Sequence, residues 1–437
     1  MTNTTQVTLL DMVECIVESL KLANPNLHEH SVVTARIAYG IGQSYGLNSV
    51  QQRDLVVCSL LHCVGTLITN FEFNSDKLQS KIKRVYCRSM YKILSKCSRV
   101  ENISNIFKCL IFREDINVST ETAKIQSDIV RLSCYIAREL DLTENSLVQK
   151  SQIVETANNN CIDISTKVKE AFLNVTNKDC FWLHIVSPSA RITQLRLKKI
   201  KEFDTMLTYK EICSFAIIIA YMIDFKSPNT INHSYGVAIT SYYLGVLCGL
   251  PDEECDKLKI AGYVHDIGKL GVPDEILYKA SKLSQVEFSY IKKHPYDTYR
   301  VLEKIKGLKD VRDWAAYHHE KPDGKGYPFN IYAQYLPIQC RILTIADVFS
   351  ALREDRMYRK RFPKEKVIFE LKKMFSESQK DIEIVNLLIK HYEKIELARM
   401  VAEVDSYNQY VELIEAVGGK ANHDICSVAD KKASYLP

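Results

Sequence analysis

Residues 25–66 align without a gap onto residues 228–269, at a constant offset of 203 positions. Pro25, Asn26, His30, Ser31, Ala35, Tyr39, Gly42, Gly46, Leu47, Leu55, His62 and Gly65 are identical to Pro228, Asn229, His233, Ser234, Ala238, Tyr242, Gly245, Gly249, Leu250, Leu258, His265 and Gly268. Further on, IQSDIVRLSC (125–134) matches IQCRILTIAD (338–347) at an offset of 213. Self-similarity at this distance means two copies of one domain in tandem. Two domains are also the expectation for 437 residues.

The domain is helical. Apolar residues recur at three- and four-residue spacing in RILTIADVFSALRED (341–355) and KVIFELKKMF (366–375), and runs alternating with period two are missing. The expected fold is all-α, two tandem helical domains over 1–200 and 201–415. The region around 180–210, with SPSARITQLRLKKIKEF, reads as a basic helical connection. Residues 416–437 are Gly- and polar-rich and read as a loosely ordered tail.

A net charge of +5 without a long basic block argues against a large nucleic acid as partner, though not against a small phosphorylated ligand. The longest apolar run, FAIIIAYMI (215–223), is too short to span a bilayer, and the first residues lack the pattern of a signal peptide. Fourteen cysteines without a CxxC pair fit neither a zinc ribbon nor a disulfide framework. The chain therefore reads as cytoplasmic and away from membranes, its thiols reduced and mostly in the core.

Chemistry concentrates in the second copy. His233, His265, His294, His318 and His319 fall within ninety residues, and Asp266 follows His265 directly. Asp347 sits among Ile342, Leu343, Ile345, Ala346, Val348 and Phe349, where a carboxylate is costly unless solvated, paired or metal-bound. Imidazoles with two carboxylates suit a borderline transition metal, and there are too many donors for one tetrahedral zinc. Two ions sharing a carboxylate would use them. HHEKPDGKGYP (318–328) follows; its Gly and Pro equally suit a plain turn.

Together HDIGK (265–269), HHEKPDGKGYP, RILTIADVFSAL (341–352) and DRMYRK (355–360) resemble the signature blocks of the HD-GYP family, metal phosphohydrolases that linearise cyclic dinucleotides. The resemblance covers about residues 205–400, with the blocks in order. It implies that His233, His265, Asp266 and Asp347 hold one ion. His294, His318 and His319 would hold a second, bridged by Asp266. It places Lys269 at the phosphate as a catalytic group beside Asp266, and Gly326, Tyr327, Pro328, Arg356, Tyr358 and Arg359 at the substrate.

The implied cofactors are two divalent transition-metal ions, iron or manganese first, then nickel or zinc. The implied activity is hydrolysis of a cyclic dinucleotide, c-di-GMP or 3′,3′-cGAMP, to a linear 5′-phosphorylated product in bacterial signalling. The tandem layout is similar to that of bacterial 3′,3′-cGAMP phosphodiesterases. A non-catalytic receptor and a nucleotidase on the same metal pair are the alternatives. A signalling protein at the GYP loop and a second copy of the chain are the further partners considered.

Two positions depart from the family pattern. Asn229 stands where some members carry a glutamate for a third ion, and Ser350 interrupts the common DVFDAL. The first copy departs further. Cys63, Thr66 and Cys134 replace Asp266, Lys269 and Asp347, and FREDINVSTETAK (112–124) has no paired histidines. That copy reads as a degenerate, non-catalytic domain for regulation or dimerisation. Its His30, His62, Cys63 and Cys134 read as buried thiols and hydrogen-bonded histidines, in preference to a mononuclear site.

Overall fold

The computed structural model describes residues 4–69, 87–88, 90–92, 94–95, 100–112, 120–161, 163–187, 201–226, 232–279, 281–355 and 359–415. The proposed tail and residues 188–200 of the basic connection fall outside them. The chain divides into two compact units, one of Thr8–Leu207 and one of Met1–Val7 with Thr208–Pro437. It is all-α; the described residues also include two short strands, β1 (Thr4–Thr8) and β2 (Met206–Thr208).

The first unit holds α1 (Leu9–Ala23), α2 (Pro25–Tyr45), α3 (Ser49–Leu61), α4 (Val64–Thr69), α5 (Glu101–Ile111), α6 (Glu121–Glu139), α7 (Ser146–Asn160), α8 (Thr166–Thr176) and α9 (Asp179–Ile185). The second holds α10 (Tyr209–Lys226), α11 (His233–Leu247), α12 (Asp252–Val264), α13 (Asp274–Leu277), α14 (Gln285–Leu302), α15 (Lys309–Ala316), α16 (Ile338–Arg353), α17 (Lys364–Met374), α18 (Gln379–Lys390) and α19 (Tyr392–Glu415). The repeat is visible in the packing. α2 lies against α3 and α6, as α11 lies against α12 and α16.

Local chemistry explains the repeated residues. Gly46 and Gly249 take left-handed backbone, φ +89° and +74°, and end α2 and α11. Leu47 N–H then donates to the Gly42 carbonyl (3.0 Å) and Leu250 N–H to the Gly245 carbonyl (3.1 Å), closing the last turn in the same way. Gly42 and Gly245 are needed for close approach. A Cβ on Gly42 would fall 2.5 Å from Gln52, and one on Gly245 would fall 3.0 Å from Leu258. Starts are equally local. Thr8, Asn48 and Ser284 each form a capping box with the residue three positions on, starting α1, α3 and α14.

α19 closes the second unit over α11 through a buried charge cluster. Arg399 donates to both oxygens of Glu396, at 2.9 and 3.0 Å, and to Glu403. Arg353 also donates to Glu396, at 2.8 Å. Breaking a buried pair strands the remaining charges, at roughly 3–5 kcal/mol. Arg399→Ala is therefore expected to lower the unfolding free energy of the second unit by about that much, read as a lower denaturant midpoint. An unchanged midpoint would show that the carboxylates find water instead.

Candidate metal centre

Three helix ends and two helix interiors deliver the donors. His233 opens α11, His265 caps the C-terminus of α12 with Asp266 next in the chain, and His318 and His319 follow α15. His294 lies inside α14 and Asp347 inside α16. The apolar face of α16 buries Ile342, Leu343, Ile345, Ala346 and Phe349, which leaves the Asp347 side chain 16% exposed and turned to the histidines.

Each of four imidazoles has Nδ1 tied to an oxygen. His265 Nδ1 lies 2.9 Å from the Gly262 carbonyl, His294 Nδ1 2.7 Å from that of Ile291, and His318 Nδ1 2.7 Å from that of Ala315. His233 Nδ1 lies 2.8 Å from Glu354 Oε1. A carbonyl only accepts, so Nδ1 carries the hydrogen and Nε2 keeps its lone pair for the centre.

The Nε2 atoms surround two carboxylates. His233 Nε2 is 3.1 Å and His265 Nε2 4.0 Å from Asp347 Oδ1. Asp266 reaches both sides: Oδ2 is 3.2 Å from His265 Nε2, and Oδ1 is 3.3 Å from His294 Nε2 and 3.8 Å from His318 Nε2. Ligand atoms of His233, His265 and Asp347 lie within 4.8 Å of one another, as do those of His294, His318 and His319. A third such group, His265, Asp266 and His318, joins the two.

This donor set fits metal. His265 Nε2 and Asp266 Oδ1 are buried without a hydrogen-bond partner, in a place where an unsatisfied polar atom is costly. Charge is arranged to match. Burial would raise Asp266, but the His265 and Lys269 charges hold it well below the usual carboxylate range. Burial would also raise Asp347, and hydrogen bonding to His233 with the neighbouring imidazole charges holds it well down. Burial keeps His318 neutral, as it does His319, which falls to about 3. A neutral imidazole is the ligand form. Burial opposes charge on His233 too, but Glu354 and Asp347 outweigh it and push it up to about 10. Acceptors that share a proton in this way would equally share a cation.

Lys269 sits in a 3-10 turn, Ile267–Gly271, with its ammonium 2.5 Å from Asp266 Oδ2 and its side chain 23% exposed. The GYP loop is more than a plain turn. Glu320 is buried and its carboxylate accepts from the N–H groups of Phe329 (2.7 Å), Asn330 (3.1 Å) and Ile331 (2.9 Å). Gly326 leaves no room for a side chain, since a Cβ would lie 2.4 Å from Glu320 Cα. Tyr327 packs on His319, ring centroids 4.9 Å apart, and Pro328 completes the tripeptide beside it. Glu320→Ala leaves three N–H groups without an acceptor, a loss of about 3 kcal/mol at roughly 1 kcal/mol each. Hydrogen exchange of residues 329–331 is expected to quicken by the corresponding factor; unchanged protection would show the loop holds without Glu320.

Of the residues expected at the substrate, Arg359 is turned elsewhere. It donates to the Ala351 carbonyl (2.7 Å) and lies 4.1 Å over the Phe362 ring. Arg356, Tyr358 and Asn229 lie outside the described residues. The Ser350 hydroxyl is buried without a hydrogen-bond partner.

Three residues of the site had no role in the sequence reading. Glu354 orients His233. Thr298 accepts from Gly268 N–H (3.1 Å) and donates to the His265 carbonyl (3.0 Å), fixing the turn that carries Asp266 and Lys269. Asp224, buried, accepts from the Ser234 hydroxyl (2.8 Å), and burial raises it to about 7. A lone carboxylate after FAIIIAYMI was its sequence signal, of the same kind as Asp347.

In the first unit, His30 and His62 again lie side by side. His62 Nδ1 is 2.6 Å from the Ser59 carbonyl, and Cys134 Sγ is 3.4 Å from His30 Nε2. Cys63 Sγ is 3.3 Å from His62 Nε2.

Residues 218–384 match the family model of the HD domain. A 3′3′-cGAMP-specific phosphodiesterase 1 of Vibrio cholerae is 36% identical over 186 residues, 43% of this chain and 43% of that protein. A cyclic di-GMP phosphodiesterase of Pseudomonas aeruginosa is 36% identical over 132 residues, 30% of this chain and 32% of that protein. The matches thus span less than half the length of these relatives. The crystal structure of a cyclic GMP-AMP specific phosphodiesterase of V. cholerae shares the fold, with a TM-score of 0.56 at 19% identity over 88% of this chain and 98% of that one. Over residues 218–384 the second unit of this chain is similar to an HD domain, with its HD pair and paired histidines folded around one cluster of donors.

Proposed function

We propose that the second unit hydrolyses a cyclic dinucleotide, c-di-GMP or 3′,3′-cGAMP, at a centre of two divalent ions, iron or manganese. The observation that carries this is Asp266, whose two oxygens face separate histidine groups. His233, His265, Asp266 and Asp347 would hold one ion and His294, His318 and His319 the other, with Asp266 shared. Bound there, such ions act as Lewis acids on a phosphodiester and supply a nucleophile from water. The matched relatives named as cGAMP and c-di-GMP phosphodiesterases support this substrate class.

In the reaction a water oxygen bonds to phosphorus and the bond from phosphorus to the 3′ oxygen breaks. The 3′ oxygen takes a proton, and the product is a linear dinucleotide with a 5′ phosphate. Lys269 lies at the partly exposed rim of the cluster, where its ammonium can move from Asp266 to a phosphate oxygen. Tyr327, stacked on His319, walls the same side. The first unit, without the second histidine group, is assigned a regulatory or assembly role.

Two expectations separate these roles. Lys269→Ala should retain the metal and lose turnover by about 10²–10³-fold, the scale of one donor to a developing charge; loss of metal would move Lys269 into the metal-holding set. Mass spectrometry of products after incubating manganese- or iron-loaded protein with c-di-GMP and 3′,3′-cGAMP should show a linear 5′-phosphorylated dinucleotide. Tight binding without cleavage favours a receptor, and release of inorganic phosphate from mononucleotides favours a nucleotidase.

A further inference from the structure

The two units share more than their helices. In the second unit the His233 and His265 ring centroids are 5.4 Å apart at an interplanar angle of 58°. In the first, the His30 and His62 centroids are 5.3 Å apart at 59°. His62 Nδ1 is held by a carbonyl three residues back, that of Ser59, as His265 is by Gly262. Its Nε2 is therefore the atom with the lone pair, in the same sense as His265, and it lies 3.3 Å from Cys63 Sγ. The third donor keeps its place on the equivalent helix, α6 for α16, and changes from the Asp347 carboxylate to the Cys134 thiol.

We propose that His30, His62 and Cys134 form a separate mononuclear site for a zinc-class divalent cation in the first unit. Their ligand atoms lie within 4.8 Å of one another, the same limit met by His233, His265 and Asp347. Two imidazoles and one thiolate make a softer set than two imidazoles and one carboxylate, which selects zinc over manganese. One ion is expected, because the sequence holds no histidine between His62 and His184 and Cys63 replaces the shared carboxylate. Three protein donors leave a fourth position on a partly exposed cluster, open to water, a small anion or the neighbouring Cys63 thiol.

The donor change supplies its own test. None of the donors proposed in the second unit is a thiolate, so a sulfur-to-cobalt charge-transfer band in cobalt-loaded full-length protein reports the first unit. The band is expected to saturate at one band-forming cobalt per chain, to vanish on addition of zinc, and to be absent in Cys134→Ser. Cys134→Asp, which recreates the donor set of the second unit, should lose the band yet keep that ion by elemental analysis. No band in the wild-type protein at saturating cobalt overturns the proposal, whatever the variants do. A band that persists in folded Cys134→Ser overturns the assignment of the thiolate.

Discussion

Replacing Asp266 by alanine is expected to remove both ions of the second unit and with them all measurable phosphodiesterase activity. Its oxygens lie 3.2–3.8 Å from His265, His294 and His318, and the carboxylate also holds the Lys269 ammonium. Without it, His294, His318 and His319 have no carboxylate among them, and the other group keeps Asp347 alone to offset a divalent charge. Losing metal-assisted stabilisation of the transition state forfeits several kcal/mol, and about 4 kcal/mol already corresponds to roughly a thousandfold in rate. Elemental analysis of the purified variant should fall by two equivalents relative to the parent. A variant retaining both ions and near-normal hydrolysis would remove the shared carboxylate from the account.

Gly268→Ala is expected to be nearly as severe while touching no donor. A Cβ at Gly268 would sit 1.9 Å from the carbonyl oxygen of His294. Relief needs a displacement of about 1 Å either of the Asp266–Lys269 turn or of α14, and a misplacement of that size can cost about 10²-fold in rate. The strain itself is of order 1–3 kcal/mol. The readout is kcat at saturating metal, with thermal unfolding alongside. The expected pattern is a large loss in kcat beside a modest loss in stability. An unaffected kcat would mean that the turn and α14 move apart without disturbing Asp266 or His294.

Gly268 also shows what can be read before folding. It is repeated as Gly65, and so are the glycines that cap α2 and α11 or bring helices together. Glycine identities are legible because their cause is steric and local. His233, His265, Asp266, His294, His318, His319 and Asp347 were legible as chemistry out of place, polar groups in apolar helices or paired histidines, and the fold gathers their donor atoms in one cluster. Glu354 was not. It lies in the charged stretch LREDR and reads as a solvated residue, yet it is buried against His233, 121 residues away in the chain. Thr298 is hidden for the same reason, since only the meeting of α14 with the Asp266 turn gives it two partners. Arg359 is a different case. The resemblance places it at the substrate, and in the structure its guanidinium lies over the Phe362 ring. Partners distant in the chain leave no trace in local pattern, whereas backbone geometry and misplaced polarity do.

The first unit shows a further limit. His30, His62 and Cys134 are each unremarkable in the sequence, and the thiol at the position of Asp347 reads as decay. Their meaning depends on the spatial match to the second unit, which ring geometry supplies and spacing alone does not.

The central claim is that the cluster around Asp266 binds two ions and needs both to open a cyclic dinucleotide. The most direct measurement is initial rate of linear product formation against manganese or ferrous iron added back to chelator-stripped Cys134→Ser protein, whose first unit has lost its third donor, with bound ions counted per chain in parallel. Little rate is expected at the first equivalent in the second unit, a steep rise at the second, and no further gain beyond it. Full activity with a single ion there, or none with two bound, would contradict it.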